Sequence, residues 1–159
     1  MYRGDVKDAR RLYQLVEGDK GASETQIIYA HYEQAEITRL DGALKEACDQ
    51  WDAIAKAAPR SLYAAKSLAD AAQTFAGMGQ ITNCETRFMR VLSEYADYPE
   101  RHRVLYNLGF LYFFTKDYRK AEVMFKDLVR QYPTTWEAQR VKRVELPAIA
   151  ADHNPPPTK

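Results

Sequence analysis

The chain has 159 residues, 46% hydrophobic and 28% charged, which allows one domain with a real core and excludes a disordered or fibrous class. Its 23 basic and 22 acidic residues are mixed along the sequence, so no concentrated positive surface for nucleic acid and no acidic tail for a basic partner is indicated. The longest aromatic-apolar run, Leu108 to Phe114, is seven residues, whereas a membrane helix needs about twenty, so direct membrane insertion is not expected.

The opening, "MYRGDVKDARRLYQLVEGDK", has no apolar stretch of signal-peptide type, which leaves a cytoplasmic protein or one whose targeting segment has been cut away. Within it, Gly4-Asp5 reads as a turn, and Ala9, Tyr13 and Val16 follow at helical spacing. Residues 4–20 are therefore expected to be the second helix of a hairpin whose first helix is missing, with Met1 an artificial start and further repeats preceding it. Three two-helix segments come next, at 23–59, 62–99 and 102–133. Stretches such as "LYAAKSLADAAQTFAGMG" and "VLYNLGFLYFFTK" carry apolar residues at three- and four-residue spacing, as helices with one buried face do. Breaks are expected at Asp41-Gly42, Gly77-Met78-Gly79 and Thr115-Lys116-Asp117. Pro59, Pro99 and Pro133 close the copies. A last helix over 134–146 begins at a capping Thr, Pro147 stops it, and 148–159 reads as a flexible, proline-rich tail.

The three copies keep register. Trp51, Phe88 and Phe125 recur at 37-residue intervals. Each is preceded by a small residue (Ala47, Cys84, Ala121), an apolar one (Leu44, Ile81, Tyr118) and, on the earlier helix, another small one (Ala35, Ala72, Gly109). Each is followed by an aliphatic residue (Ile54, Val91, Leu128). Small residues on both helices permit close crossing, and the large aromatic fills the space beside it. The expected fold class is all-α, a solenoid of antiparallel helical hairpins.

The stretch "YNLGFLYFFTKDYRKAEVMFKDLVRQYP" resembles a tetratricopeptide repeat through Leu108, Gly109, Tyr112, Ala121, Phe125 and Pro133, while Leu128 departs from the family's small residue. The copy near Leu62 is similar through Ala72, Phe75, Gly79 and Phe88, with Cys84 replacing an alanine. The copy near Ser23 is similar through Ala35, Gly42, Ala47, Trp51 and Pro59, with Thr38 where an aromatic is usual. The resemblance covers nearly all of residues 1–147 and implies one superhelical array whose first helices line a binding groove. Carried onto matching positions, that groove takes Tyr29, Tyr32, Glu33, Glu36 and Arg39 from the first copy. The second supplies Lys66, Ala69, Asp70 and Gln73, and the third Arg103, Tyr106, Asn107, Phe110 and Phe113. The family's carboxylate-clamp form uses lysine and asparagine where Tyr32 and Glu36 stand, so a co-chaperone role is not implied. "YPTTWEAQRVKRVEL" is similar to the closing stretch of bacterial envelope repeat proteins such as the Tol-Pal coordinator and outer-membrane assembly lipoproteins. That likeness tilts the expected compartment toward the bacterial envelope.

Six aromatics fall within residues 107–125, and they divide by face. Tyr112, Tyr118 and Phe125 belong to the hairpin. Phe110 and Phe113, with Tyr106, lie on a second face, to be covered by a neighbouring hairpin, by the last helix, or by an apolar peptide or partner helix. Chemistry is not indicated. His31, His102 and His153 have no ligand spacing, Cys48 and Cys84 lack metal-type spacing, and carboxylate pairs such as Glu33 with Glu36 fit a solvated helix face. No cofactor, metal or catalytic residue is expected. The expected function is a non-catalytic scaffold or adaptor, with self-assembly through the same aromatic patch as the alternative. Single-stranded RNA binding through Arg101, Arg103, Arg140, Lys142 and Arg143 ranks behind both.

Overall fold

The computed structural model describes residues 3–153, with side chains from 8 to 152. The described residues are helices joined by short turns, with no strand among them: α1 (Arg3–Gly18), α2 (Glu24–Leu40), α3 (Leu44–Ala57), α4 (Leu62–Gly77), α5 (Ile81–Glu94), α6 (Arg101–Phe114), α7 (Tyr118–Gln131), α8 (Trp136–Arg143) and α9 (Glu145–His153). They form two compact units, Met1–Arg87 and Phe88–Lys159.

Local chemistry sets most of the boundaries. Ser23 opens α2 with a capping box, its hydroxyl accepting from the Gln26 N–H while the Gln26 side chain accepts from the Ser23 N–H. Ser61, Asp117 and Thr135 cap α4, α7 and α8 in the simpler form, each accepting from the backbone N–H three residues on. Between the helices of each copy one residue adopts positive φ: Gly42 at 86°, Gly79 at 71° and Lys116 at 62°. These three stand 37 residues apart, so the turn repeats with the same period as the core aromatics. Pro59 and Pro133 follow the caps of α3 and α7, as expected.

In the first unit α1, α2, α3 and α4 pack in sequence order. Trp51 is fully buried on α3, as are the small residues Ala35 of α2 and Ala47 of α3. Cys48 on the same helix lies with its Sγ 3.8 Å from the Ala71 carbonyl of α4. Cys48 and Cys84 are both free and buried, and burial pushes their thiols up to about 11 and about 12. In the second unit α6 and α7 form the central pair, with α8 and α9 packed on them. Gly109 is what lets α6 and α7 close up: a Cβ there would sit 2.5 Å from the Phe125 ring. Leu108, Phe125, Leu128 and Val141 complete a core that excludes water. The recurring position Leu44, Ile81, Tyr118 is shallower, being the first residue of each second helix, and Ile81 is exposed.

Three expectations are corrected. Gly4 and Asp5 are not a turn, because α1 runs through both. The closing helix is not one segment over 134–146, since it breaks at Val144 into α8 and α9. Pro147 does not stop it either. Pro147 is the third residue of α9, within the first turn, where backbone N–H groups have no intrahelical partner and a proline therefore loses nothing. The Ala148 N–H bonds the Val144 carbonyl at 3.1 Å, and Ile149 is 2% exposed, so 148–153 is helix anchored by Ile149 and not tail. The remainder of the expected tail, 154–159, lies outside the described residues.

Candidate partner-binding surface

In the first unit the expected site residues sit on α2 and α4, which lie side by side. Glu36 and Arg39 form an ion pair along α2, with both Arg39 Nε and Nη2 donating to one Glu36 oxygen at 3.3 and 3.0 Å. Across from them, Tyr32 donates its hydroxyl to Asp70 at 2.6 Å, tying α2 to α4. Lys66 joins this pair from one turn before Asp70, its Nζ 3.6 Å from the carboxylate and 5.0 Å from the centre of the Tyr32 ring. Burial, and then the bond to Asp70, push the Tyr32 hydroxyl above its ordinary range. Desolvation likewise raises Asp70, although Tyr32 and Lys66 pull it back. Tyr32, placed in the groove by the sequence, is 4% exposed and serves as this bridge. Glu36, Arg39, Asp70 and Gln73 do come together, lining a cleft of about 450 Å³ with Trp51 and Thr74.

Tyr29 stays exposed and continues an aromatic series. Its ring meets Tyr13 of α1 at 6.0 Å and Tyr63 of α4 at 5.7 Å, and Tyr63 meets Tyr32 at 5.5 Å. Sequence spacing places Tyr13 in helix packing only and gives Tyr63 no role. The signal for Tyr63 was its place one residue after the start of α4, where it faces the preceding first helix.

In the second unit the expected residues Arg103, Tyr106, Asn107, Phe110 and Phe113 share α6, and all but the exposed Arg103 are half-buried. Tyr106 meets Phe110 at 5.4 Å and Trp136 of α8 at 5.6 Å, both tilted, and Phe110 meets Phe113 at 6.2 Å and Phe114 at 4.9 Å. Phe113 in turn reaches Tyr118 at 5.5 Å. The Arg140 guanidinium of α8 covers Phe110 at 5.8 Å. The last-helix explanation thus accounts for part of this face: α8 sets Trp136 against Tyr106 and Arg140 against Phe110. It leaves two rings open that the sequence had not singled out, Phe114 at 72% and Trp136 at 61% exposure. Phe114 was visible as the fourth residue after Phe110. Trp136 was hidden by its assignment to the closing helix.

Two acids lie beneath this surface. Glu137 is approached by His102 at 3.7 Å and Arg103 at 3.9 Å, and Glu145 is held by Arg140 at 3.0 Å. Burial raises the Tyr106 hydroxyl beside them, against the opposing pull of Arg140. Among the described residues no group of three or more His, Cys, Asp or Glu side chains is placed to hold a metal ion. No described helix is long and apolar enough to cross a membrane.

Antiparallel helix pairs with a small residue at each crossing, a glycine-type turn and a proline after the second helix define an all-α helical repeat of tetratricopeptide type. Residues 103–135 match the tetratricopeptide repeat family, and this α6–α7 hairpin is one such repeat. Solved structures with the same fold include a tetratricopeptide repeat protein from Parabacteroides merdae, at a TM-score of 0.73 and 19% identity over 96% of this chain. BtubC from P. vanneervenii superposes at 0.71 with 16% identity over 98% of this chain and 77% of its own. PilF of Pseudomonas aeruginosa does so at 0.60 with 19% identity over 94% of this chain and 75% of its own. The chain spans 56% of the length of the Parabacteroides protein. No curated protein matches the sequence. Tetratricopeptide folds generally serve as protein-interaction modules and are generally non-catalytic, and this chain has that fold.

Proposed function

We propose that the protein is a non-catalytic scaffold or adaptor that binds a peptide segment or helix of another protein against the first helices of its repeats. The observation that carries this reading is the aromatic ladder of the second unit, Trp136–Tyr106–Phe110–Phe114, which ends in exposed rings at both ends. Exposed aromatics joined to a half-buried cluster are the usual anchors of protein interfaces, where rings gain buried area at small entropic cost. The cleft bounded by Glu36, Arg39, Asp70 and Gln73 offers polar contacts of both signs in the first unit, suited to a peptide backbone or to charged side chains. No cofactor enters this function.

The test compares capture of proteins from source-cell lysate by wild type and by a Phe114→Ala/Trp136→Ala variant. Both side chains are largely exposed, so the variant is expected to keep the wild-type helical signal and melting cooperativity. A protein retained by wild type and lost by the folded variant supports the reading. Identical capture by both sinks it for this surface. Light scattering across a concentration series decides the alternative: a mass that rises with concentration in wild type and not in the variant makes the same patch a subunit interface.

A further inference from the structure

The α6–α8 face has a chemistry that specifies more than an apolar partner. Tyr106 meets Trp136 and Phe110 meets Arg140, so the two helices run in the same direction and face each other turn by turn. One turn further on, this register sets Arg143 opposite Phe113 and Phe114. One wall of the face is therefore aromatic. The other carries Trp136, then Arg140, then Arg143. Of the two cations on that wall, Arg140 is already paired with the buried Glu145 at 3.0 Å, which leaves Arg143 to meet a partner's charge. Lys142 and Arg143 are exposed and have no ion-pair partner among the described residues. Flanking α6, Glu100 is paired with Arg103 at 3.3 Å and Asp117 with Lys120 at 3.4 Å. What remains to meet an incoming partner is apolar rings edged by cations.

We propose that this face binds an acidic amphipathic segment of a partner protein, with aliphatic or aromatic side chains against Phe110, Phe113, Phe114 and Trp136 and Asp or Glu beside Arg143. The proposal rests on the protein-binding function above and specifies the partner's chemistry. Charge complementarity of this kind sets register and speeds encounter, while the rings supply the buried area. A nucleic-acid strand suits the face less well. Phosphate contacts need a concentrated positive surface, and with 23 basic against 22 acidic residues the chain carries a formal net charge of only +1.

The experiment is selection of a random peptide display library on the whole protein, with the Phe114→Ala/Trp136→Ala variant as counter-selection. Enriched peptides are then synthesised and titrated by calorimetry against wild type and each variant. A uridine homopolymer is titrated in parallel. The expected result is enrichment of sequences that combine apolar residues with Asp and Glu. Their binding should weaken as salt rises and fall roughly tenfold in Arg143→Glu. That variant leaves the Arg140–Glu145 pair intact, so loss through misfolding is avoided, and an Arg143→Gln variant with a native melting curve gives a second reading. Enrichment without acidic preference overturns the charge inference and leaves the protein-binding reading standing. No enrichment, or enriched peptides that bind the counter-selection variant equally well, overturns both for this surface. Tighter binding of the homopolymer than of any selected peptide replaces the proposed partner with single-stranded RNA.

Discussion

Lys116 turns the chain between α6 and α7 at φ 62°, in the position that Gly42 and Gly79 hold in the earlier copies. A side chain in this left-handed region crowds its own backbone, which glycine avoids. Against that relief stands the greater freedom glycine has when unfolded. The strain is the larger of the two, so Lys116→Gly is expected to stabilise the protein by about 0.5–1 kcal/mol. Urea unfolding checks this: the midpoint should rise with an unchanged slope. A lower midpoint would mean that the Lys116 side chain contributes more in the folded state than its exposed position indicates. At the same scale, Gly109 and Phe125 show how far a sequence position can be read. That a small residue and a large one recur together was legible from their shared period. That the third copy needs glycine, where the others accept alanine, was not, because it depends on the Phe125 ring lying where a Cβ would be. The candidate site divides the same way. The second aromatic face of α6 was legible from three- and four-residue spacing, but its cover was not, since Trp136 and Arg140 reach it from a helix thirty residues on.

Elements were legible where local chemistry marks their ends. The capping box at Ser23, the caps at Ser61 and Thr135 and the prolines after α3 and α7 all act within a few residues, so the hairpins could be outlined without tertiary information. α9 failed that reading because its signal is ambiguous. A proline that ends one helix can equally stand in the first turn of the next, and what decides is whether the following residues have something to pack on. Here they do: Ile149 is buried and α9 packs on α7 and α8. Ile149→Ala is accordingly expected to cost about 2–5 kcal/mol, the range for a buried aliphatic, whereas a residue in a free tail would cost nothing. Thermal or urea unfolding separates the two outcomes. The consequence reaches the candidate surface, because Glu145 at the head of α9 holds Arg140 over Phe110. Loosening α9 should therefore also change the environment of Trp136, visible as a shift in indole emission.

For the whole molecule, the 37-residue period means that stability is assembled from similar local crossings, each built from a buried aromatic, the small residues beside it and a left-handed turn. In such arrays stability is close to a sum of terms within a repeat and between neighbours, so damage to one crossing should fall off with distance along the chain. Phe125→Ala tests this. The ring is fully buried, and its loss is expected to cost about 3–5 kcal/mol through removed apolar contact and the cavity left behind. Native-state hydrogen exchange then reads where the cost is felt. Amides of α6 and α7, whose packing Phe125 supports directly, should lose protection by the full amount. Those of α2 and α3, which close around Trp51 in the first unit, should lose much less. Equal loss in all four helices would mean that the chain opens only as a single cooperative body, and the repeat description would then hold for its geometry but not for its energetics.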